Sequence, residues 1–207
     1  MIQTLKRKYG ENCPIFTNEI IKTMNKYSRP RVFQLIKEAE NNNSLIRFDQ
    51  GVYYIPTKTL LGDSTISIEQ VVIKKYILEK NKVYGIFGGI TLLQNFLLTY
   101  QIPNTIEVIT NNETTWIRDI YIKNRKVILK KSRVRINSNN VFAYTILELF
   151  TIIDIDDFLY NNSAKREVIK YIKENNILKN DVLKMLDKFP SKTSKKILRS
   201  GIIDEFA

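Results

Sequence analysis

Two short apolar runs, Leu45-Ile46-Arg47-Phe48 and Val52-Tyr53-Tyr54-Ile55, flank Asp49-Gln50-Gly51, and Pro56 closes the second run. Strand-like runs separated by three residues ending in glycine read as a β-hairpin, because glycine supplies the positive φ that a tight turn requires. A lone hairpin is marginal in water, so the chain before it has to cover one of its faces. That chain reads as helical. Ile2, Leu5 and Tyr9 share one helical face, with Gly10 as the stop. Thr17 is placed to cap a second helix that turns Ile20, Ile21 and Met24 inward. A short turn, Asn25 to Tyr27, leads to Ser28, a second cap. Pro30 is tolerated only in a first helical turn, so a third helix starts at about Ser28 or Arg29. Val32, Leu35, Ile36 and Ala39 then mark one buried face, and Asn41 to Asn43 end it. Three helices followed by a hairpin predict a winged helix-turn-helix over residues 1–56.

The charges fit that geometry. From Lys22 to Lys37 there are five basic residues and no acid. In this motif the N-terminal residues of the second helix of the pair reach base edges, while its partner crosses the backbone. Ser28, Arg29, Arg31 and Gln34 fall at those reading positions. Lys22, Lys26 and Lys37 are placed for phosphates, and Arg47 and Gln50 belong to the wing. The whole chain has 33 Lys plus Arg against 21 Asp plus Glu, a net charge of +12. Such a surplus favours a polyanionic partner through counterion release. A lysine- and asparagine-rich composition can also produce it without one.

Residues 57–66 are polar, contain Gly62 and Asp63, and read as a linker. Beyond them the pattern is α/β (α+β) over residues 67–207. A helix is expected at about Ser67 to Glu79, and an apolar one from Thr91 to about Thr99. Strands are expected at Ile106–Thr110, Trp116–Ile122 and Lys126–Lys131, then a buried helix from Val141 to Phe150. From about residue 155 a helical tail follows, marked by Val168, Ile169 and Ile172, by Val182, Leu183 and Leu186, and by Ile197 and Leu198. Arg118, Lys123, Arg125, Lys126, Lys130, Lys131, Arg133 and Arg135 crowd the strand region against only Asp119. They form either a second nucleic-acid surface or a lysine-rich guard against edge-to-edge sheet pairing.

The sequence gives no positive sign of catalysis. There is no histidine and one cysteine, Cys13, which removes Cys/His zinc sites, imidazole acid–base chemistry and an internal disulfide. No Walker loop or dinucleotide fingerprint is present. Gly88-Gly89 has the look of a nucleotidyltransferase glycine pair, but the aspartates that would hold magnesium do not follow. The pair is better suited to a tight turn or close helix–strand packing. Asp154, Asp156 and Asp157 read as solvated carboxylates at a helix junction, not as a metal site. The expectation is therefore a non-enzyme with no cofactor and no metal. Met1 to Gly10 is charged and amphipathic, unlike a signal peptide, and Tyr84 to Leu98 is too short and polar to span a bilayer. A cytoplasmic protein with no membrane partner is expected.

Three segments resemble the AbiEi-type antitoxin family of type IV, abortive-infection toxin–antitoxin systems. The first pairs Ser28-Arg29-Pro30-Arg31 with Gly51-Val52-Tyr53-Tyr54. The second is Tyr84 to Leu93, similar to the family's Tyr-x-x-Gly-x-x-Ala-Leu, and the third is Ile102-Pro103 leading into Ile106–Thr110. The likeness covers roughly residues 15–150, with Gly88-Gly89-Ile90 standing where many members carry serine and alanine. It implies a transcriptional autorepressor that binds inverted repeats in double-stranded operator DNA. It also implies that the second domain opposes a nucleotidyltransferase-like toxin, with or without stable contact. Two alternatives stand beside it: a winged-helix repressor whose second domain senses a small molecule or protein partner, and a nucleic-acid enzyme with an unrecognised site.

Overall fold

The computed structural model describes residues 1–60 and 62–207 and is mixed α/β. The chain divides into two compact units, Met1–Lys74 and Lys75–Ala207.

The first unit opens with α1 (Ile2–Tyr9), which Gly10 ends at φ 82°. Strand β1 (Ile15–Phe16) leads directly into α2 (Thr17–Thr23). After a turn come α3 (Arg29–Asn41), β2 (Ile46–Asp49) and β3 (Val52–Tyr54). The strands form one antiparallel sheet in the order β1-β3-β2, with Ile15 opposite Tyr53 and Ile46 opposite Tyr54. Its core joins the three helices to β1 and β3 through Leu5, Ile15, Ile20, Val32, Ile36, Ala39 and Tyr53, with Leu45 just before β2. Burial of that apolar area is what holds three short helices together, since none is long enough to be stable by itself.

Thr17 does not cap α2. Its N–H and hydroxyl both donate to the Gly51 carbonyl, at 3.0 and 3.2 Å, which ties the hairpin tip to the start of the helix. Glu19 instead reaches back to the Phe16 N–H at 2.8 Å.

The polar stretch at residues 57–66 is anchored. Among the described residues, β4 (Lys58–Thr59) pairs with β5 (Gly62–Asp63); Leu61, inside the expected linker, lies outside them. Asn12 donates to the Thr57 hydroxyl at 2.8 Å and accepts from the Ser64 hydroxyl, while the Thr57 N–H donates to Ser64 at 2.8 Å. Helix α4 (Ile68–Val72) starts in a capping box between Ser67 and Gln70. Lys74, at the end of the unit, donates to the Pro14 carbonyl at 2.6 Å and to Glu19 at 2.8 Å. The unit therefore runs past residue 56: the contacts of Thr57, Ser64 and Lys74 tie this stretch to it, and Ile66, Val71 and Val72 are buried.

The expected helix at Ser67–Glu79 is shorter than its apolar spacing implies. It passes into a π-helical turn (Ile73–Ile77) and then a small hairpin of β6 (Leu78–Glu79) and β7 (Lys82–Val83), with Lys80 at φ 54°. The second unit continues with β8 (Gly85–Phe87), α5 (Gly89–Asn95), β9 (Ile106–Thr110), β10 (Ile117–Ile122) and β11 (Arg125–Lys131). Four strands make a mixed sheet, β10-β11-β9-β8, in which β11 runs parallel to β9 and the other pairings are antiparallel. Gly85 is required where it is. A Cβ there would lie 2.2 Å from the Tyr76 carbonyl oxygen and 2.8 Å from that of Ile109.

Helix α6 (Val141–Ile152) is buried along almost its whole length. The tail helices α7 (Ile155–Tyr160), α8 (Asn162–Glu174), α9 (Lys179–Leu186) and α10 (Ser191–Ser200) complete the core around it. Val168, Ile172, Val182 and Ile197 point inward as their spacing predicts, whereas Leu183 and Leu198 are exposed.

Candidate nucleic-acid interface

Helix α3 has two unlike sides. Val32, Ile36 and Ala39 are buried in the core of the first unit. Ser28, Arg29, Arg31, Gln34 and Lys37 are all exposed, as are Lys22 on α2, Lys26 in the turn, Arg47 on β2 and Gln50 at the hairpin tip. Every residue expected to meet DNA thus stands on the surface of this unit. Ser28 occupies the N-cap position with extended backbone, but its hydroxyl makes no capping bond.

The two arginines, equivalent in the sequence, are held differently. The Arg29 guanidinium sits over the Phe33 ring, 5.9 Å from its centroid. Arg31 donates to Gln34 and to Glu38, both at 3.2 Å. Glu38 is one position beyond the acid-free run, and a seven-residue spacing brings it back onto the flank of Arg31. Both members of that pair are about half exposed, at 48% and 59%. A screened pair of this kind contributes only about 0–1 kcal/mol, so a phosphate or guanine can displace Glu38.

Sequence reasoning passed over Tyr27 and Phe33, which are 52% and 43% exposed. The signal was present at Phe33: it follows Val32 immediately and so falls off the buried 3.6-residue stripe.

In the second unit the basic strip does not stand against Asp119 alone. Arg118 makes a forked pair with Glu113, at 2.8 Å through Nε and 2.7 Å through a terminal nitrogen. Burial pushes the Glu113 carboxyl up, but Arg118 and the donors of Thr114 and Thr115 outweigh it and hold the group below the usual carboxylate range. Lys126 pairs with Asp119 at 2.6 Å, and Lys130 pairs with Glu107. Arg133 lies 4.0 Å from Glu148 and over the rings of Trp116 and Phe189. Burial raises the Glu148 carboxyl above its ordinary range, with Arg133 opposing. Arg125 donates to the Pro103 carbonyl at 2.9 Å. Much of the strip's charge is therefore spent inside the unit. Lys123, Lys131 and Arg135 are exposed.

Gly88 precedes α5 and Gly89 begins it at φ 53°. A Cβ on Gly89 would lie 2.5 Å from the Glu107 carboxylate, so Gly89 admits the Glu107–Lys130 ion pair close to the backbone. Asp154 caps α7, accepting from the N–H groups of Asp156 and Asp157 at 2.8 and 3.2 Å, and Asp156 pairs with Arg199. Among the described residues no group of three or more His, Cys, Asp or Glu is placed to hold a metal ion. Nor is any helix among them long and apolar enough to cross a membrane.

Residues 2–181 match a protein family described as "Family of unknown function (DUF6088)". The chain belongs to the DUF6088 family. The matched span takes in both compact units. No curated protein matches the chain.

Proposed function

We propose that the first unit of this DUF6088 member is a winged helix-turn-helix that binds double-stranded operator DNA. In this reading Ser28, Arg29, Arg31 and Gln34 face base edges, Lys22, Lys26 and Lys37 hold phosphates, and Arg47 and Gln50 form the contacts of the wing. The supporting observation is the two-sided α3: a buried apolar stripe opposite exposed basic and amide side chains, next to a hairpin fastened to α2 through Thr17 and Gly51. Taken with the resemblance to AbiEi-type antitoxins, the reading extends to an autorepressor on inverted repeats that opposes a nucleotidyltransferase-like toxin. No catalytic role is assigned to either unit.

Fluorescence anisotropy of the full chain on a duplex spanning its own promoter, across a salt series, tests the DNA half. Three to four phosphate contacts per protomer predict that each protomer bound contributes about −2.7 to −3.6 to the slope of log K against log[salt]. Arg29→Ala should weaken the promoter complex by about 1–3 kcal/mol and random DNA by less. Salt-independent binding, or none, would sink the reading. Co-expression with the neighbouring gene's product tests the antitoxin half separately, and failure to restore growth would remove that half alone.

A further inference from the structure

On a helix with 3.6 residues per turn, Arg29, Phe33 and Lys37 lie at i, i+4 and i+8 and share one flank of α3. Arg31 and Glu38 occupy the other flank. Phe33 is an exposed aromatic on the face argued to meet DNA, and Arg29 rests on its ring. A half-exposed aromatic side chain in that place offers an apolar surface to a partner. The major groove offers one apolar group among its base edges, the 5-methyl of thymine.

Arg29 has a complementary task. A cation–π contact is not a hydrogen bond and so leaves the guanidinium N–H fork for an acceptor, and guanine O6 and N7 match that fork. The guanidinium carbon and the ring centroid are 5.9 Å apart. Successive base pairs rise by about 3.4 Å, so the separation is under two steps, and the N–H fork and the ring edge, which extend beyond those two points, can meet neighbouring pairs.

We propose that Phe33 and Arg29 form one reading unit for a thymine–guanine neighbour pair, Phe33 packing on the thymine methyl and Arg29 bonding the adjacent guanine. The inference rests on the DNA-binding reading above and adds its base preference. Arg31, restrained by Glu38 on the far flank, reads outside this pair.

The test begins with duplexes enriched by the full chain from a randomised pool. Each thymine of the enriched site is then replaced in turn by deoxyuridine, which removes only the methyl. Affinity should fall about fourfold, the size expected for one buried methyl, at one thymine beside a guanine in each half-site and nowhere else. Phe33→Ala should bind thymine and deoxyuridine duplexes equally. The base change leaves the protein intact, and Phe33 lies outside the core, so loss of folding cannot mimic this pattern. Tight, sequence-selective binding that is indifferent to deoxyuridine would overturn the inference and leave the DNA reading standing. So would a deoxyuridine effect that survives in Phe33→Ala, or one at a thymine with no guanine neighbour. A pool from which nothing is enriched and nothing bound would overturn both.

Discussion

Replacing Lys74 with methionine should loosen the first unit from its far end. The Lys74 ammonium meets Glu19 at 2.8 Å and the Pro14 carbonyl at 2.6 Å, and lies 4.8 and 5.4 Å from the ring centroids of Tyr9 and Phe16. The side chains of Lys74 and Glu19 are only 20% and 18% exposed, which places the pair between a screened surface contact and a buried one. Methionine keeps most of the apolar stem and removes the charge. Losing a charge-assisted hydrogen bond costs about 1.5–3 kcal/mol. The two cation–π contacts add about 0.5–1 kcal/mol each. Allowing for overlap between them, a total of about 2–4 kcal/mol is expected. In a unit of this size that corresponds to a fall in Tm of roughly 10–30 °C. The chain's single tryptophan, Trp116, lies in the second unit, so its fluorescence follows that unit while far-ultraviolet circular dichroism follows both. Lys74→Met should bring forward a dichroism transition and leave the tryptophan transition in place. Glu19→Gln keeps the bond to the Phe16 N–H, so a double-mutant cycle with Lys74→Met isolates the ion pair. An unchanged dichroism transition, or a coupling energy near zero, would refute this account of how residues 57–74 are fastened.

Glu38→Gln should leave stability within about 1 kcal/mol, because the pair with Arg31 is exposed. It should also raise DNA affinity, because it loosens the hold on Arg31 and removes a negative charge from the face that meets DNA; anisotropy that matches the wild type at every salt would place Arg31 outside the interface. Gly85→Ala drives a Cβ against two backbone carbonyls and should destabilise the second unit by at least about 1–3 kcal/mol, as read from denaturant titration of Trp116 fluorescence. A neutral result there would show that the strand does not pass so close to Tyr76. Burial raises the folded-state pKa of Glu148, so its contribution to stability is full below the unfolded value of about 4.5 and is lost as pH rises through the folded value. The stability of wild type relative to Glu148→Gln should therefore fall with pH above about 4.5, and a difference that rises with pH would contradict the assignment.

The features legible in the sequence are those set by local chemistry. Pro30 fixed where α3 begins, Gly51 supplied the turn between β2 and β3, and the spacing of Val32, Ile36 and Ala39 named the buried face. Strand β1 was not legible because two residues, Ile15 and Phe16, are too few to show alternation. The end of α4 was masked by Tyr76, which continues the helical period into the π-helical turn before Lys80 reverses the chain. Thr17 looked like a cap because threonine is a good one, yet its strand neighbour offered the Gly51 carbonyl instead. In the basic strip Glu113 stands only five residues before its partner Arg118, but Glu107 and Glu148 come from elements well separated from their partners in sequence. Only the paired sheet and the buried α6 bring them together. The flank that separates Arg29 from Arg31 needed the three-dimensional positions of Phe33 and Glu38.

The parallel pairing of β9 with β11 also dictates an order of assembly. Strands β10 and β11 are joined through Lys123 and Asn124 and can zip as a local hairpin, a step of about 1–10 μs in isolated examples. Setting Ile106 opposite Val127 is different, since the chain must first return past the whole of that hairpin. Loop closure delays such a contact until enough other surface is buried to compensate. Meanwhile the edge of β11 that will receive β9, with Val127 and Leu129 on it, lies open to any other extended chain. We expect the refolding yield of the second unit to fall as protein concentration rises, with the loss set by the slow arrival of β9. A yield independent of concentration would mean that the four-stranded sheet closes before that edge can be captured.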